Sequence, residues 1–389
     1  MYLLNGPDQT DELQADLIEL QRLMPLIGVT RLARLTDLDC IGLPVFSAVR
    51  DEVVGESITV CTGKGTTNVR AKIGAIAEAL ERYSAEPRNR ISICESTFSE
   101  LDDAVDPTSL ILADWASPKR ILDWVRASDL ETNANRYVPA NAVFFPYYAS
   151  EDKILFAANT TGLAVAKRLD QAIERAMLEC VERDAYSRAL IIATYADDAD
   201  NLCPAICPSA CSDLVCHWGE MIESNGLHVL LRDLTGDLAI PTFLCTIMDD
   251  TPAGRIVHAG CASDYDANSA VLQAVAEACQ SRVTDFQGGR EDLPDHEDRA
   301  EVDPWFFESN VLPVKKLPAS LVLNDCKRRI SLLRERLIEL ELESPLYVDL
   351  SVDDTYLKTV RVICPGLEVW AKDPSRIGPR VRKWISEFS

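Results

Sequence analysis

Hydrophobic and polar residues follow two periods along this chain, the helical period and the alternation of a strand. The helical period predicts helices over residues 11–25, 68–86, 170–193 and 268–286 and around a stripe made by Ile330, Leu333, Leu337 and Leu340. Alternating or β-branched runs predict strands within residues 29–62 and at 143–145, 154–158, 228–235, 240–248, 346–352 and 360–366. This mixture of elements predicts a mixed α/β fold in which helices pack on mixed sheets.

The chain contains no low-complexity linker that would divide it cleanly. We therefore expect an N-terminal helical segment over residues 1–28 and a single domain over residues 29–389. Residues 288–304 carry many charges and are predicted to form an exposed loop.

Three of the predicted helices repeat one pattern, in which a glutamate lies seven residues after an alanine and three before a glutamate or glutamine. An arginine follows at once in two copies and two residues later in the third. The copies end on Glu78-x-x-Glu81-Arg82, Glu179-x-x-Glu182-Arg183 and Glu277-x-x-Gln280-x-Arg282. Positions three apart share a helix face, so each helix carries paired acidic or amide groups on a stripe of small residues.

The residues around these pairs are strongly apolar, and carboxylates in such surroundings need cations or hydrogen-bond donors. Five converging glutamates need more positive charge than three arginines supply, and Mg²⁺ suits hard carboxylate oxygens. Mg²⁺ together with carboxylates and arginine or lysine is a common way to hold a polyphosphate. The alternative is that the repeated pattern is an ordinary solvated helix surface.

Composition narrows the possible partners. The 389 residues include 62 acidic and 39 basic ones, a formal net charge of −23, so we expect the chain to repel nucleic acid. No apolar run is long enough to span a membrane, and the first residues lack the basic and apolar regions of a signal peptide. We therefore expect a cytoplasmic protein with no nucleic-acid or membrane partner, whose 13 cysteines stay reduced.

Several segments, in order along most of the chain, resemble the YcaO family. They are LTDLDCIGLPVFSAVR (35–50), GKGTTNVRAKIGAIAEALERYSAE (63–86), NTTGLAVAKRLDQAIERAMLECVERDA (159–185), HAGCASDYDANSAVLQAVAEACQSR (258–282) and CPGLEVW (364–370). The second, third and fourth segments contain the glutamate-bearing helices. The resemblance implies a YcaO-type domain with a nucleotide site between these three helices.

In the YcaO family, the glutamates of these helices bind Mg²⁺ ions that hold ATP. Carried over by motif position, the implied metal ligands are Glu78, Glu81, Glu179, Glu182 and Glu277. The implied phosphate contacts, or supports of the carboxylates, are Arg82, Arg183, Gln280 and Arg282, with Lys64 near phosphate in a glycine-rich turn.

The activity implied by the resemblance is attack of a nucleophile on a backbone amide carbonyl of a peptide or protein. ATP phosphorylates the resulting oxygen, and phosphate then leaves. A Cys, Ser or Thr side chain as the nucleophile gives an azoline, whereas a sulfide equivalent gives a thioamide. No catalytic side chain is identified by the motifs themselves.

Two positions depart from the family pattern. After Gly-Leu-Ala, members often have an asparagine and, four residues later, a glutamate, and here these positions are Lys167 and Gln171. Gln171 would still coordinate through its carbonyl oxygen, and Lys167 would replace one metal charge beside phosphate. The alternative is a weakened or lost nucleotide site in a degenerate, non-catalytic scaffold or partner-binding protein.

The last residues, RKWISEFS, are not the Pro-rich tail common in azoline-forming members, which favours the thioamide-forming branch. That branch often works with a TfuA-type partner. No peptide-clamp domain is evident, so we expect an accessory protein, TfuA-like or an E1-like clamp, to deliver the substrate. The resemblance also implies a homodimer.

Two further patterns favour other sites. GKGTT (63–67) resembles a phosphate loop but lacks the P-loop spacing, so a tight turn explains it equally well. A cluster of thiols suits Zn²⁺ or an iron–sulfur centre but lacks the usual close pair, so we favour an incidental cluster. Its members are Cys203, Cys207, Cys211 and Cys216, followed by His217.

Overall fold

The computed structural model describes residues 10–55, 57–88, 91–251, 254–289, 302–323, 325–353 and 355–389. Its helices are α1 (Thr10–Leu23), α2 (Asn68–Ala85), α3 (Leu169–Tyr195), α4 (Ala199–Leu202), α5 (Asp213–Ser224), α6 (Ala267–Gln287), α7 (Cys326–Glu339) and α8 (Pro379–Phe388). Its strands are β1 (Val29–Arg34), β2 (Val45–Arg50), β3 (Val60–Lys64), β4 (Ile93–Thr97), β5 (Ile121–Asp129), β6 (Asn135–Pro139), β7 (Leu163–Ala166), β8 (Ala205–Ile206), β9 (His228–Asp233), β10 (Thr242–Thr251), β11 (Gly254–Ser263), β12 (Leu346–Asp349) and β13 (Lys358–Ile363).

The described residues cluster into two compact units, each built from separate stretches of the chain. The first unit takes its residues from Met1–Val53, Ile58–Ala79 and Ala196–Val322. The second takes its residues from Val54–Ser57, Leu80–Tyr195 and Leu323–Ser389. Helix α2 begins in the first unit and ends in the second.

The first unit contains two antiparallel sheets, with the strand orders β1-β2-β3 and β11-β10-β9-β8. Helix α6 packs on β10 and β11. The core between them includes Phe243 and Ile247 of β10 and Val271 and Val275 of α6, all buried. Burial of such side chains contributes roughly 1.5–3 kcal/mol each, so this contact holds α6 firmly on the sheet.

Local sequence explains where α6 begins and ends. Asp266 caps its start by accepting a hydrogen bond from the backbone N–H of Ser269 at 2.9 Å. The helix stops at Gly288, whose φ of +59° lies in the left-handed region that glycine tolerates without strain. The chain therefore fixes the length of the helix that carries Glu277.

Two glycines allow helices of the first unit to lie directly on strands. A Cβ added to Gly63 of β3 would lie 2.0 Å from the backbone N of Ala75 in α2. A Cβ added to Gly260 of β11 would lie 2.3 Å from the backbone N of Ala278 in α6. Neither glycine position accepts a side chain, because the helix backbone lies directly against the strand there. The small residues on one side of each helix therefore form the face that packs on the strand.

The second unit contains one antiparallel sheet in the order β4-β5-β12-β13-β7, with β6 paired to residues 124–128 of β5. Helix α3 packs on β13 and β7, and α7 and α8 pack on α3. Trp124 of β5 is completely buried in this core and donates its indole N–H to the carbonyl of Ser96 at 2.9 Å.

The mixed α/β class predicted from the sequence is confirmed. The five predicted helices correspond to α1, α2, α3, α6 and α7, and residues 228–235 and 240–248 contain the adjacent strands β9 and β10. The predicted mixed sheets are antiparallel in every pairing between the thirteen strands named above.

The strands predicted at residues 143–145 and 154–158 are wrong, because neither segment forms a strand. The side chain of Asn141 takes the place of a strand partner. Its Oδ1 accepts the N–H groups of Leu155 and Phe156 at 2.8 and 3.2 Å, and its Nδ2 donates to the carbonyl of Phe156 at 3.3 Å. The apolar runs are buried as irregular core, which periodicity does not distinguish from strands.

Most of the predicted charged loop, residues 290–301, lies outside the described residues. The division of the chain at residue 28 stays a prediction, and the helix expected before that point is α1. Within the described residues, no helix is both long and apolar enough to cross a membrane.

Candidate functional site

Four of the predicted site residues in the first unit gather at β3. Glu78 of α2 accepts the backbone N–H of Thr62 at 2.8 Å. Gln280 of α6 donates its side-chain N–H to the hydroxyl of Thr62 at 2.6 Å. Lys64 forms an ion pair with Glu277 at 2.7 Å, and its side chain is 17% exposed. This arrangement brings residues from two copies of the repeated pattern to one strand.

The second unit holds its glutamates mainly through backbone donors and one arginine. Glu179 of α3 accepts the N–H of Gly162 at 3.2 Å, and Glu81 accepts the N–H of Val165 at 2.9 Å. Arg183 lies 3.1 Å from Glu182 and 3.5 Å from Glu179. The acidic pair of α3 is therefore compensated by one guanidinium from the next position of its own motif.

Glycine also sets the geometry in the second unit. Gly162 has a φ of +82°, and a Cβ there would lie 2.2 Å from the carbonyl oxygen of Val362 and 3.1 Å from the sulfur of Cys180. The positive φ and the lack of space both require glycine at this position. The turn aims the Gly162 N–H at Glu179.

The structure gives Arg282 a different set of partners from the other motif residues. Its guanidinium bonds Asp39 at 2.9 Å and Asp249 at 2.8 Å, and it lies over the ring of Phe286. Its side chain is 6% exposed. Two carboxylates, of which Asp39 is 2% and Asp249 26% exposed, pair with this cation, so the structure indicates that Arg282 ties α6 to its surroundings. In the second unit, Arg82 lies over the ring of Phe145, with 5.5 Å from Cζ to the ring centre.

The two departures from the family pattern lie at the start of α3. Lys167 is exposed and precedes the helix, whereas Gln171 is half-buried in its first turn. The adjacent Asp170 is paired with Arg168, whose hydrogen bond lowers the pKa of that carboxyl. A helix N-terminus offers unpaired N–H groups and a positive dipole end, which favour an anion near Lys167.

Within the described residues, no group of three or more His, Cys, Asp or Glu side chains is already arranged to hold a metal ion. The cysteine cluster accordingly forms no preformed metal centre there. Cys203 is buried, Cys207 lies 3.0 Å from the hydroxyl of Ser209, and Cys216 donates to the carbonyl of Pro208 at 3.2 Å. The predicted glutamate ligands would have to exchange their present partners to coordinate a metal.

The donor set of the glutamates nevertheless fits Mg²⁺. All five groups are carboxylates, and the contacts described above join each of them to an N–H group or a cation. Hard oxygen ligands suit Mg²⁺, which would take over the charge compensation that Lys64 and Arg183 now provide.

Sequence reasoning missed three residues that hold the glutamates: Thr62, Gly162 and Val165. Thr62 adjoins the glycine-rich turn that resembles a phosphate loop, and Gly162 lies in the third segment of the resemblance. Both positions could therefore have been predicted from the motifs. Val165 acts through its backbone N–H, which leaves no signature in side-chain identity.

Two relatives match nearly the whole chain. An uncharacterized protein of Methanothermobacter thermautotrophicus is 35% identical over 379 residues, covering 93% of this chain and 95% of the relative. An uncharacterized protein in the tfuA 3' region of Rhizobium leguminosarum bv. trifolii is 28% identical over 361 residues, covering 88% and 84%.

Two solved structures share the fold. A heterocyclase in complex with substrate and cofactor superposes with a TM-score of 0.77 at 20% identity, over 95% of this chain and 55% of that one. The chain thus spans about half the length of that heterocyclase. YcaO from Methanopyrus kandleri, bound with AMPPCP and Mg²⁺, superposes with a TM-score of 0.73 at 23% identity, over 95% and 94% of the two chains.

The family model described as YcaO cyclodehydratase, ATP- and Mg²⁺-binding, matches residues 62–368. This range contains all three copies of the glutamate pattern and parts of both units. It also contains Thr62, Gly162 and Val165, whose backbone N–H groups meet the glutamates. The chain belongs to the YcaO family.

Proposed function

We propose that this protein is an enzyme that uses ATP and Mg²⁺ to activate a backbone amide of a peptide or protein, and that its product is a thioamide. The observation that carries the proposal is the placement of the glutamates. They are half-buried or buried, and each of the five is held by a donor or a cation. A surface of ordinary solvated glutamates would not be organised in this way.

In the proposed mechanism, the glutamates exchange their present cationic partners for Mg²⁺. We propose Glu78, Glu81, Glu179, Glu182 and Glu277 as Mg²⁺ ligands. If Glu277 and Glu182 held Mg²⁺, Lys64 and Arg183, which now pair with them, would be available to phosphate oxygens. Gln280 keeps Thr62, and with it Glu78, in place through the hydrogen bond to the threonine hydroxyl.

The remaining predicted contacts have lesser roles in the proposal. Lys167 and Gln171 lie where α3 begins, so the lysine supplies charge and the amide oxygen supplies a neutral ligand. Arg82 remains a proposed phosphate contact. We assign Arg282 to holding α6, because it already forms ion pairs with Asp39 and Asp249.

When bound, ATP supplies the phosphoryl group that turns the amide oxygen into a leaving group, so that ADP and phosphate are released. For a thioamide product, hydrosulfide adds to the carbonyl carbon, and sulfur replaces the oxygen that leaves with phosphate. Positive groups close to the developing oxyanion stabilise such a step. Lys64 and Arg183 are the cations of this chain that we assign to it.

The relative in the tfuA 3' region supports the thioamide product over an azoline. We propose on the same ground that a TfuA-like protein is the accessory partner, and that an E1-like clamp protein is the alternative. A cytoplasmic location and a homodimer complete the proposal, as the sequence predicted.

Calorimetric titration with a non-hydrolysable ATP analogue, with and without Mg²⁺, tests the nucleotide site. We expect saturable, Mg²⁺-dependent binding of the analogue. Its affinity should fall at least about tenfold in Glu179→Gln, because loss of a metal ligand costs at least as much affinity as loss of a residue that supports a ligand. Glu335→Gln, an exposed glutamate of α7 in the same unit, is the matched control and should bind normally.

Absence of binding by the folded wild-type protein at millimolar nucleotide would favour the degenerate scaffold instead. The product is tested separately, by mass spectrometry of a peptide substrate incubated with ATP and hydrosulfide. Replacement of oxygen by sulfur supports the thioamide. Loss of water without gain of sulfur identifies an azoline-forming enzyme.

A further inference from the structure

A cavity of about 60 Å³ lies in the second unit, at the end of β13 and beside α3. Two arginines, Arg361 and Arg376, and two cysteines, Cys180 and Cys364, are among its lining residues. Both arginines are buried, with 5% and 6% of their surface exposed. The mechanism proposed above uses none of these four side chains.

Arg361 is only partly satisfied by the protein. Its Nε donates to the carbonyl of Ala142 at 3.0 Å, and its Nη2 donates to the carbonyl of Asn159 at 2.9 Å. Its Nη1 is buried and has no hydrogen-bond partner among the described residues. A buried donor without a partner costs about 1–3 kcal/mol, and more when it is charged, so the charge of this guanidinium is only partly compensated.

Arg376 faces the same cavity and is likewise held by carbonyl groups. Its Nε donates to Ile111 at 2.7 Å, its Nη2 donates to Leu110, and its guanidinium lies 4.0 Å from the ring centre of Phe156. Within the described part of the chain, neither Arg361 nor Arg376 forms an ion pair. Two desolvated cations therefore share a small space with no carboxylate bonded to them.

The electrostatics favour an anion as the occupant. Burial lowers the pKa of Arg361 and of Arg376 to about 10, because the low dielectric disfavours their charged forms. The Cys180 thiol and burial raise the pKa of Cys364, so this thiol stays protonated and adds no negative charge. An anion in the cavity would compensate both guanidiniums and meet the neutral S–H group of Cys364.

The lining selects among anions by their hydration. Leu110, Phe156, Val362 and Leu367 make much of the wall apolar. A strongly hydrated anion such as phosphate loses more solvation free energy in such a wall than a soft, weakly hydrated anion does. Polarisable sulfur atoms of the two cysteines also suit a soft anion.

We propose that this cavity is a binding site for a small, weakly hydrated anion, and that its ligand is hydrosulfide. The site stands on the two guanidiniums and the cavity, whereas the choice of hydrosulfide rests on the proposed thioamide function. Cys180 directly follows Glu179, the proposed Mg²⁺ ligand, and Arg361 interacts with Glu179 through space. The cavity would thus hold the sulfur nucleophile beside a residue of the activating site.

Binding is measured with sodium hydrosulfide, by calorimetry and by thermal unfolding, on the nucleotide-free full chain in anaerobic buffer of constant ionic strength. We expect saturable binding and a rise in Tm with hydrosulfide. We expect phosphate, which is strongly hydrated, to bind at least about tenfold more weakly, a difference of about 1.4 kcal/mol. Equal or tighter binding of phosphate would overturn the assignment to a soft anion.

Variants locate the site. Arg361→Met should abolish hydrosulfide binding, but it also removes two hydrogen bonds that hold the chain. Cys364→Leu is therefore the second variant, because it fills the cavity and leaves both guanidiniums in place. Cys94→Leu, at a half-buried cysteine of β4 outside the cavity, is the matched control.

Loss of binding in folded Cys364→Leu with normal binding in Cys94→Leu supports the proposal. Normal binding in Cys364→Leu, or no saturable binding by the wild-type protein, overturns it. Because the measurement needs neither ATP nor peptide, its failure is distinct from failure of the nucleotide titration with Glu179→Gln.

Discussion

In the first unit, one side chain and one backbone group hold the glutamates: Lys64 pairs with Glu277, and the backbone N–H of Thr62, whose hydroxyl accepts from Gln280, donates to Glu78. In the second unit, backbone N–H groups of Gly162 and Val165 do much of the same work. Both units start from the same helical pattern. The difference shows that an identical motif is completed by whatever donors the neighbouring strand presents.

The helix contacts differ in a corresponding way. Gly63 and Gly260 of the first unit face alanines of the opposing helix, at backbone distances that no side chain fits. Gly162 of the second unit faces a carbonyl and a thiol and has a positive φ as well. Close packing therefore sets the position of the glutamates in the first unit, and turn geometry sets it in the second.

The largest effect is expected from a substitution that disrupts helix–strand packing in the first unit. Gly260→Ala places a Cβ 2.3 Å from the backbone of Ala278, so we expect the free energy of unfolding to fall by about 3 kcal/mol or more. The measurement is urea denaturation. Gly219→Ala in α5, where the nearest atom to a new Cβ is 3.9 Å away, should instead stabilise by about 0.5–1 kcal/mol. Equal stability of the two variants would contradict the packing argument.

The next effect concerns Arg282, the arginine in the α6 copy of the repeated pattern. Arg282→Met leaves Asp39 and Asp249 without their buried partner, and we expect a loss of about 3 kcal/mol in the free energy of unfolding. Arg255→Met removes an exposed arginine that also has two acidic partners, and should cost at most about 1 kcal/mol.

Thermal and urea unfolding compare these two arginine variants, and nucleotide titration is run beside them. If Arg282→Met were as stable as the wild type and lost nucleotide affinity alone, the residue would be a phosphate contact, as the motif suggested. The structural assignment of Arg282 would then be wrong.

The smallest expected effect tests the hydrogen bond between Gln280 and the Thr62 hydroxyl in the first unit. Thr62→Val removes the hydroxyl that accepts from Gln280, and we expect a loss of about 1 kcal/mol. Thr30→Val, at an exposed threonine of β1, should change stability by no more than about 0.5 kcal/mol. Urea denaturation measures the free energy of unfolding of both variants. Equal losses in Thr62→Val and Thr30→Val would show that the hydrogen bond from Gln280 does not stabilise the site.

Prediction from the sequence succeeded where a pattern was long. The helices that carry Glu78, Glu179 and Glu277 span many turns of regular spacing, so their type and approximate bounds followed from periodicity. The antiparallel neighbours β9 and β10 followed from two apolar runs joined by a Gly-Asp turn. Short apolar runs such as residues 154–158 failed, because burial rather than pairing determines their conformation.

The sequence by itself determined the mixed α/β class, the three motif helices and the chemical identity of the glutamates, because helical period and side-chain type are local properties. Only the tertiary structure decided which donors meet those glutamates, that Arg282 is committed to Asp39 and Asp249, and that Arg361 and Arg376 share a cavity. These contacts join residues far apart in the chain, and backbone donors such as the Val165 N–H are the same in every residue except proline.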